Sequence, residues 1–304
     1  MVKIAITGST GMIGLELIRQ ALAQSFEVTA FVHKASNKKD RIPNDKRVRI
    51  IECDMDEYSD VNSIEHHDIF FNLGWEGTTG PSRDDPDVQK RNIDYSLDAV
   101  KLAKRMGCSV FVGVGSQAEY GLLKTVADEE TPINPQSCYG VAKYATGKMS
   151  SILSNQIGMR FCWVRIFSVF GINGSSVINH VIDKLLLNES PALTKCEQVW
   201  DFIYVKDAAS ALLKISMEGK DGETYCLSSG QHRSMRDYLE TIRAVIGTDI
   251  QLGYGKVDYY PHQPMYLAAS IEKLKEDTGF VPKYSFEDAI GEIIDIIKAD
   301  KQSV

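Results

Sequence analysis

Three tyrosine–lysine pairs stand four residues apart in this chain: Tyr120/Lys124, Tyr139/Lys143 and Tyr144/Lys148. On a helix such a pair shares one face, with Cβ atoms about 5–6 Å apart, near enough for an ammonium to stabilise a phenolate. A phenol tuned in this way can pass a proton to a carbonyl oxygen or take one from an alcohol. Free tyrosine titrates at about 10, and lowering that by about three units means stabilising the phenolate by roughly 4 kcal/mol. Context chooses among the pairs. Tyr139/Lys143 follows Thr131-Pro132-Ile133-Asn134-Pro135, a turn that can launch a helix. Tyr144/Lys148 lies five residues further on, rotated by roughly 140° around the same helix, so both pairs cannot face one site. Tyr120 lies four residues after Ser116, in an expected loop. Tyr139/Lys143 is therefore the candidate, with Lys143 expected to depress the Tyr139 phenol, and the other two pairs read as surface or packing.

A second chemical signal opens the chain. Thr7-Gly8-Ser9-Thr10-Gly11-Met12-Ile13-Gly14 follows an apolar run and begins an amphipathic one. Glycines three apart let the backbone turn sharply and let a pyrophosphate approach a helix N-terminus, where free N–H groups and the dipole favour anions. The spacing is GxxGxxG rather than GxGxxG. At the end of the second apolar run, an acid for the ribose hydroxyls marks NAD. Here Glu27–Val32 continues into His33 and Lys34, with no carboxylate at that spot. Two readings stand for these bases: a 2′-phosphate contact, which would favour NADP, or a solvated loop shared with Lys38, Lys39 and Arg41. Asp54, after the third run, can meet an adenine amine or close a strand-end turn.

These residues need a frame, and the alternation of apolar runs supplies it. Strands are expected at 2–7, 27–32, 48–51, 69–73, 109–114, 160–167 and 201–205, with helices at 12–24, 88–107, 138–158, 207–217 and 286–297. Strands alternating with helices imply an α/β fold with a parallel, doubly wound sheet covered on both faces. A nucleotide-binding domain is expected over 1–165. Residues 166–304 are expected to form mainly a smaller lobe, with the chain free to cross back to the sheet. The 304 residues, 43% hydrophobic and 25% charged, exclude a disordered chain. A net charge of -7 argues against nucleic-acid or membrane-surface partners. The six scattered cysteines contain no CxxC pair and read as reduced thiols of a cytoplasmic protein. No signal peptide and no membrane span are expected.

Taken together, the Gly8/Gly11/Gly14 loop, Ser116 at a strand end and Tyr139-Gly140-Val141-Ala142-Lys143 resemble an extended short-chain dehydrogenase/reductase. The branch is the NAD(P)-dependent epimerase/dehydratase family acting on nucleotide sugars. Asp54, Asn92 ahead of a long helix, Arg165-Ile166-Phe167 and Asp201-Phe202-Ile203-Tyr204-Val205-x-Asp207 extend the likeness over nearly the whole chain. It implies a Rossmann sheet, a C-terminal substrate lobe and a catalytic set of Ser116, Tyr139, Lys143 and Asn92, the last ordering a relay water. It implies cofactor contacts at Gly8, Thr10, Gly11, Met12, Ile13, Gly14, His33, Lys34, Asp54, Met55, Leu73, Gly74, Tyr139, Lys143, Ile166 and Ser168, and no metal. Substrate contacts are expected at Trp75, Gln117, Ser168 and Asn179. A homodimer through the two long helices is implied as well.

Within that family, sugar 4,6-dehydratases carry an Asp-Glu pair where this chain has Gln117 and Ala118, so water elimination is not expected. A cysteine at Ala118 would mark the 3,5-epimerase/reductases, and it is absent. Hydride transfer at one carbon remains. The expectation is NADPH-dependent reduction of the 4-keto group of a nucleotide-linked 4-keto-6-deoxyhexose. The alternatives are 4-epimerisation with tightly held NAD, and a non-catalytic NADP(H) sensor. Trp200 and Tyr260 stand where relatives have arginines for the diphosphate, so Lys195, Arg233 or His262 are the expected replacements.

Overall fold

A computed structural model of the chain describes residues 1–61, 65–260 and 263–302. The larger sheet is built from β1 (Lys3–Thr7), β2 (Glu27–Val32), β3 (Val48–Glu52), β4 (Ile69–Asn72), β5 (Val110–Ser116), β6 (Arg160–Ile166) and β9 (Thr224–Leu227). Their order is β3-β2-β1-β4-β5-β6-β9, and every pairing is parallel. Such strands are buried on both faces, which is why they read as continuous apolar runs. The order reverses between β1 and β4, and ligands of doubly wound sheets sit outside the strand C-termini at that reversal.

Two helical layers cover the sheet. Helix α1 (Met12–Ala23) and α5 (Val205–Glu218) place Leu15, Leu17, Ile18, Ala208, Leu212 and Ile215 on one face. Helix α2 (Pro86–Arg105) covers the other, where Ala99, Val100, Leu102 and Ala103 meet Phe70, Phe111 and Phe161. Helix α3 (Cys138–Gln156) lies beside it, with Leu153 packed on that same cluster.

The smaller lobe is a second sheet, in which β8 (Val199–Tyr204) pairs with β7 (Ser168–Phe170), β10 (His232–Ser234) and β11 (Tyr266–Leu267). It packs against α4 (Val177–Leu186), α6 (Met235–Ile246) and α8 (Phe286–Gln302) through Phe170, Ile182, Phe202, Leu239, Ile290 and Ile293. Several elements run differently from their sequence expectation: α2 starts at Pro86 and ends at Arg105, α8 runs on to Gln302, and β8 and α5 both start early. Strand β8 starts two residues before the expected Asp201, and Val205 already belongs to α5. The carboxylate of Asp207 is engaged in the helix's first turn, accepting the amides of Lys283 and Tyr284 at 3.0 Å each. The chain also crosses back: β9, α5 and α7 (Glu272–Thr278) belong to the larger sheet and its cover.

Candidate active site

The site forms where β5 ends and α3 begins. Ser116 is the last residue of β5, and its Oγ accepts the Ala118 amide at 3.2 Å. Helix α3 opens on Ser137, whose hydroxyl accepts the Gly140 amide at 3.1 Å, and on Asp84, whose carboxylate accepts the Cys138 amide at 3.1 Å. Such caps satisfy orphan N–H groups and fix where the helix starts. Tyr139 and Lys143 then fall one turn apart on the buried face.

Around this pair the chain wraps a strap, residues 74–85, that the sequence did not reveal. The indole face of Trp75 receives the Lys143 ammonium at 3.7 Å, and the Trp75 and Tyr139 rings meet in a T-shaped pair at 6.0 Å. The Arg83 guanidinium covers the Tyr139 ring at 4.2 Å. Buried Gln89 staples the strap: it accepts the Trp75 indole N–H at 2.9 Å and donates to the carbonyls of Gly77 (2.9 Å) and Ser82 (2.8 Å). Asn92 does the same work. Its amide oxygen accepts the Glu76 N–H and its nitrogen donates to the Glu76 carbonyl, both at 2.9 Å. The Asn92 amide is thus engaged by main chain beside the site.

Electrostatics depart from expectation in one respect. Burial pushes the Tyr139 phenol above its usual value, with Ser116 and then Arg83 pulling the other way. Burial also pulls the Lys143 ammonium down to about 7. Its Nζ donates to the Val114 carbonyl at 2.7 Å and rests on Trp75, and a cation on an indole face is stabilised there. The depression expected of Tyr139 is therefore not produced by the protein alone, because desolvation of a phenolate outweighs the dipoles around it.

Beside this pair runs the groove at the β1/β4 reversal. It holds about 480 Å³ and is lined by Gly8, Thr10, His33, Asp54, Met55 and Gly74, among others. Gly8 sits at φ +67, and a Cβ there would stand 2.8 Å from the Gly74 nitrogen. A Cβ on Gly14 would stand 2.4 Å from the Gly8 carbonyl oxygen. Gly11 caps α1 without a side-chain acceptor, and no acid occupies the first turn, so that end is left for an anion. These features fit a dinucleotide. Met12 and Ile13 form the first turn of α1 and touch the small-lobe core. The amides of Leu73 and Gly74 are both held by Thr7 Oγ1, at 3.1 and 3.0 Å.

Next to His33 and Asp54 of the groove, Lys34 finds a carboxylate partner. Glu57, at the end of a short 3-10 turn after β3, takes the Lys34 ammonium. The bond raises the lysine above its usual pKa and lowers the glutamate. Asp54 accepts the Lys34 amide at 2.9 Å and lies 3.5 Å from the His33 Nε2. Asp54 thus ties the end of β2 to the end of β3 while also lining the groove.

The remaining candidates separate. Gln117 is half-buried in the turn after Ser116, Ile166 ends β6 and Ser168 starts β7. Asn179 donates to the Gly171 carbonyl at 2.9 Å and accepts the Ser176 hydroxyl at 2.9 Å, pinning the loop before α4. Lys195 is exposed. Arg233 stands on β10 of the small lobe. It pairs with Glu287 at 2.7 Å, packs over Tyr238 and Phe286, and lines a separate cavity with Phe202 and Tyr284. Trp200 donates its indole N–H to the Pro264 carbonyl at 3.0 Å. His262 lies outside the described residues. Of the other Tyr–Lys pairs, Tyr120 is buried, donating to the Asp128 carbonyl at 2.7 Å, and Lys148 is exposed beside Tyr144.

A strand-end serine, a tyrosine–lysine pair one turn apart and a glycine cradle at a sheet reversal are the features that this site brings to a comparison with known proteins. The profile of the NAD dependent epimerase/dehydratase family matches residues 4–228, and the chain belongs to that family. It is 25% identical over 314 residues to the UDP-glucose 4-epimerase of Lacticaseibacillus casei, covering 94% of each chain. Among solved structures it superposes, with a TM-score of 0.88 and 25% identity, on a UDP-N-acetylglucosamine 4-epimerase from Methanobrevibacter ruminantium in complex with UDP-N-acetylmuramic acid. That match covers 98% of this chain and 99% of the other. A dTDP-glucose 4,6-dehydratase from Bacillus anthracis in complex with NAD shares the fold with a TM-score of 0.83 at 19% identity, covering 99% and 98%. No described helix is long and apolar enough to cross a membrane.

Proposed function

We propose that this enzyme reduces the 4-keto group of a nucleotide-linked 4-keto-6-deoxyhexose with NADPH, Tyr139 serving as general acid. The observation that carries the reading is buried Tyr139, its phenol pushed up by burial and pulled down by Ser116 at the end of β5, with Lys143 one turn away and no acid or base at Gln117 and Ala118. Glu119, the nearest carboxylate in sequence, is fully buried and paired with Arg165 at 2.9 Å, so it cannot replace the acid a dehydratase needs. Gly8, Thr10 and Gly14 would cradle the pyrophosphate, and Lys143 the nicotinamide ribose. When bound, NADPH supplies the hydride. Tyr139 gives its phenolic proton to the substrate's carbonyl oxygen, and Ser116 donates a hydrogen bond that orients that oxygen. Lys143, as an ammonium, offsets the negative charge left on Tyr139. Trp75 and Gln117 flank the place where the sugar would lie, and Asn92 keeps the strap in position.

The open end of β2 supports NADPH over NADH, with His33 and Lys34 toward the 2′-phosphate. One observation favours a second reading: the Lys34 ammonium already has a carboxylate partner in Glu57, which suits NAD and a 4-epimerase that returns the hydride it takes. The two separate in one assay. Loss of NADPH absorbance with dTDP- or CDP-linked 4-keto-6-deoxyglucose is the expected result. Interconversion of UDP-hexoses without net cofactor consumption would establish the epimerase. Cofactor binding with no turnover across the panel would leave a sensor.

A homodimer belongs to the same reading. Val141, Met149 and Ile152 are exposed along α3, giving an apolar face suited to pairing with a second copy. Light scattering at micromolar concentration checks it, and a monomer would contradict it. The described cysteines are all free thiols, in keeping with a cytoplasmic enzyme.

A further inference from the structure

Over the ring of Tyr139 the strap lays the guanidinium of Arg83, 4.2 Å from the ring centroid. Its Nη1 donates to the Thr78 carbonyl at 2.9 Å, and its backbone amide donates to the Gly80 carbonyl at 3.1 Å, so the strap's own turn tethers the residue. A guanidinium carries five N–H donors and no acceptor. Among the described residues, Arg83 spends its side chain on that one carbonyl and has no carboxylate partner. The residue is half-buried, while Thr78, Gly80 and Ser82 around it are exposed, so the group is within reach of a ligand.

The acids nearest to it in the chain are engaged elsewhere. Asp84 accepts the Cys138 amide at 3.1 Å, and Asp85 accepts the amides of Asp87 at 2.9 Å and Val88 at 3.1 Å. Glu76 faces Arg91 at 3.8 Å. Other cations that could meet a substrate are already matched: Arg233 pairs with Glu287, and Lys34 pairs with Glu57. Lys143 is buried, donating to the Val114 carbonyl and resting on Trp75. A half-buried cation gives up part of its hydration, and an oxyanion restores it through charge-assisted hydrogen bonds, for which the guanidinium fork is suited.

We propose that Arg83 determines specificity at this site by receiving an oxyanion of the substrate beside Tyr139. The inference rests on the reading above for the nucleotide-linked substrate, not for the reaction: on that reading the oxyanion is a phosphate of the diphosphate. A carboxylate on the sugar carries the same chemistry, and the test separates the two sources.

The test is calorimetry on the full chain with UDP, dTDP, UDP-glucose and UDP-glucuronate as probes, comparing the parent with Arg83→Met and Arg83→Lys. Arg83→Met keeps an unbranched stem and removes the charge. UDP or dTDP is expected to bind about 10–100-fold more weakly to it, the range for a lost charged hydrogen bond. Arg83→Lys should recover part of the loss, and dinucleotide affinity should stay within a few-fold of the parent in both variants. If UDP and dTDP are unaffected and the loss appears for UDP-glucuronate but not UDP-glucose, the oxyanion is the sugar's carboxylate and the role of Arg83 stands. Unchanged affinity for every probe in Arg83→Met overturns the proposal, as does a parent that binds none of them. A loss that extends equally to the dinucleotide and is not recovered in Arg83→Lys marks a purely structural residue and overturns it too. No arm reads turnover, so weaker diphosphate binding in a protein that reduces no 4-keto sugar sustains the role of Arg83 and overturns only the reductase reading.

Discussion

The cofactor side and the small lobe of this enzyme were built under different constraints. On the cofactor side, main chain makes the site. Gly8 and Gly14 are fixed by approaches of 2.8 and 2.4 Å that no side chain could share, and the Tyr139/Lys143 spacing follows from one helical turn. In the small lobe, side chains decide. Arg233 is claimed by Glu287 and two rings, Trp200 by the Pro264 carbonyl, and Asn179 by the loop it pins. Geometry fixed by backbone is written in residue spacing; geometry fixed by side chains depends on partners far away in the chain.

The sharpest way to break that contrast is at Tyr139. Tyr139→Phe keeps the ring against Trp75 and Arg83 and removes the proton, so kcat should fall by about 10²–10⁴-fold with substrate affinity retained. Tyr120→Phe and Tyr144→Phe should stay within a few-fold; steady-state kinetics on the three variants checks the choice of pair. If one of the other two carries the loss, the site is misplaced. Next comes the cradle. Gly14→Ala forces a Cβ against the Gly8 carbonyl, and dinucleotide binding should be lost in calorimetry, whereas Gly80→Ala, with nothing within 4 Å of its added Cβ, leaves binding intact at a modest cost for its φ of +66.

Lys143 ties the two descriptions together through pH. Its folded value of about 7 lies below the usual lysine value, so the unfolded chain binds more protons between the two. Stability should therefore rise as pH climbs from about 7 toward about 10. Lys143→Met should be more stable than the parent at neutral pH and lose that rise, as urea midpoints at several pH values will report. A parent without the rise would mean the ammonium is better solvated than its burial implies.

Smaller effects sharpen the rim and the lobe. Glu57→Gln frees the Lys34 ammonium and should improve NADPH affinity a few-fold while sparing NADH; Lys34→Asp should do the reverse. Arg233→Ala should cost about 0–1 kcal/mol, since its partner Glu287 is half-exposed. It should leave KM for the sugar within a few-fold, and a larger KM effect would return Arg233 to the substrate.

What was legible in the sequence divides along the same line. Strands β1 to β6 of the large sheet, the cradle and the Tyr139/Lys143 face all follow from local spacing. Contacts between distant segments were hidden. Glu57 reaches Lys34 across 23 positions, and Arg165 meets Glu119 across 46. Asn92 was readable as a site residue, but its amide turns to Glu76, a contact that depends on how the strap folds over α2. Trp75 gave no periodic signal, because its place on Lys143 is set by Gln89. The short elements β9, β10, β11 and α7 carry too few residues for a pattern to emerge.

The most direct test of the central claim follows the hydride itself. The enzyme is incubated with NADPH carrying deuterium at the transferable position and with dTDP- or CDP-4-keto-6-deoxyglucose, and the sugar is examined by mass spectrometry and NMR. The expected result is one deuterium at C4 for each NADPH consumed, with the transfer suppressed in Tyr139→Phe. A sugar that gains no deuterium while the protein interconverts a UDP-hexose at C4 with no net cofactor loss would contradict it.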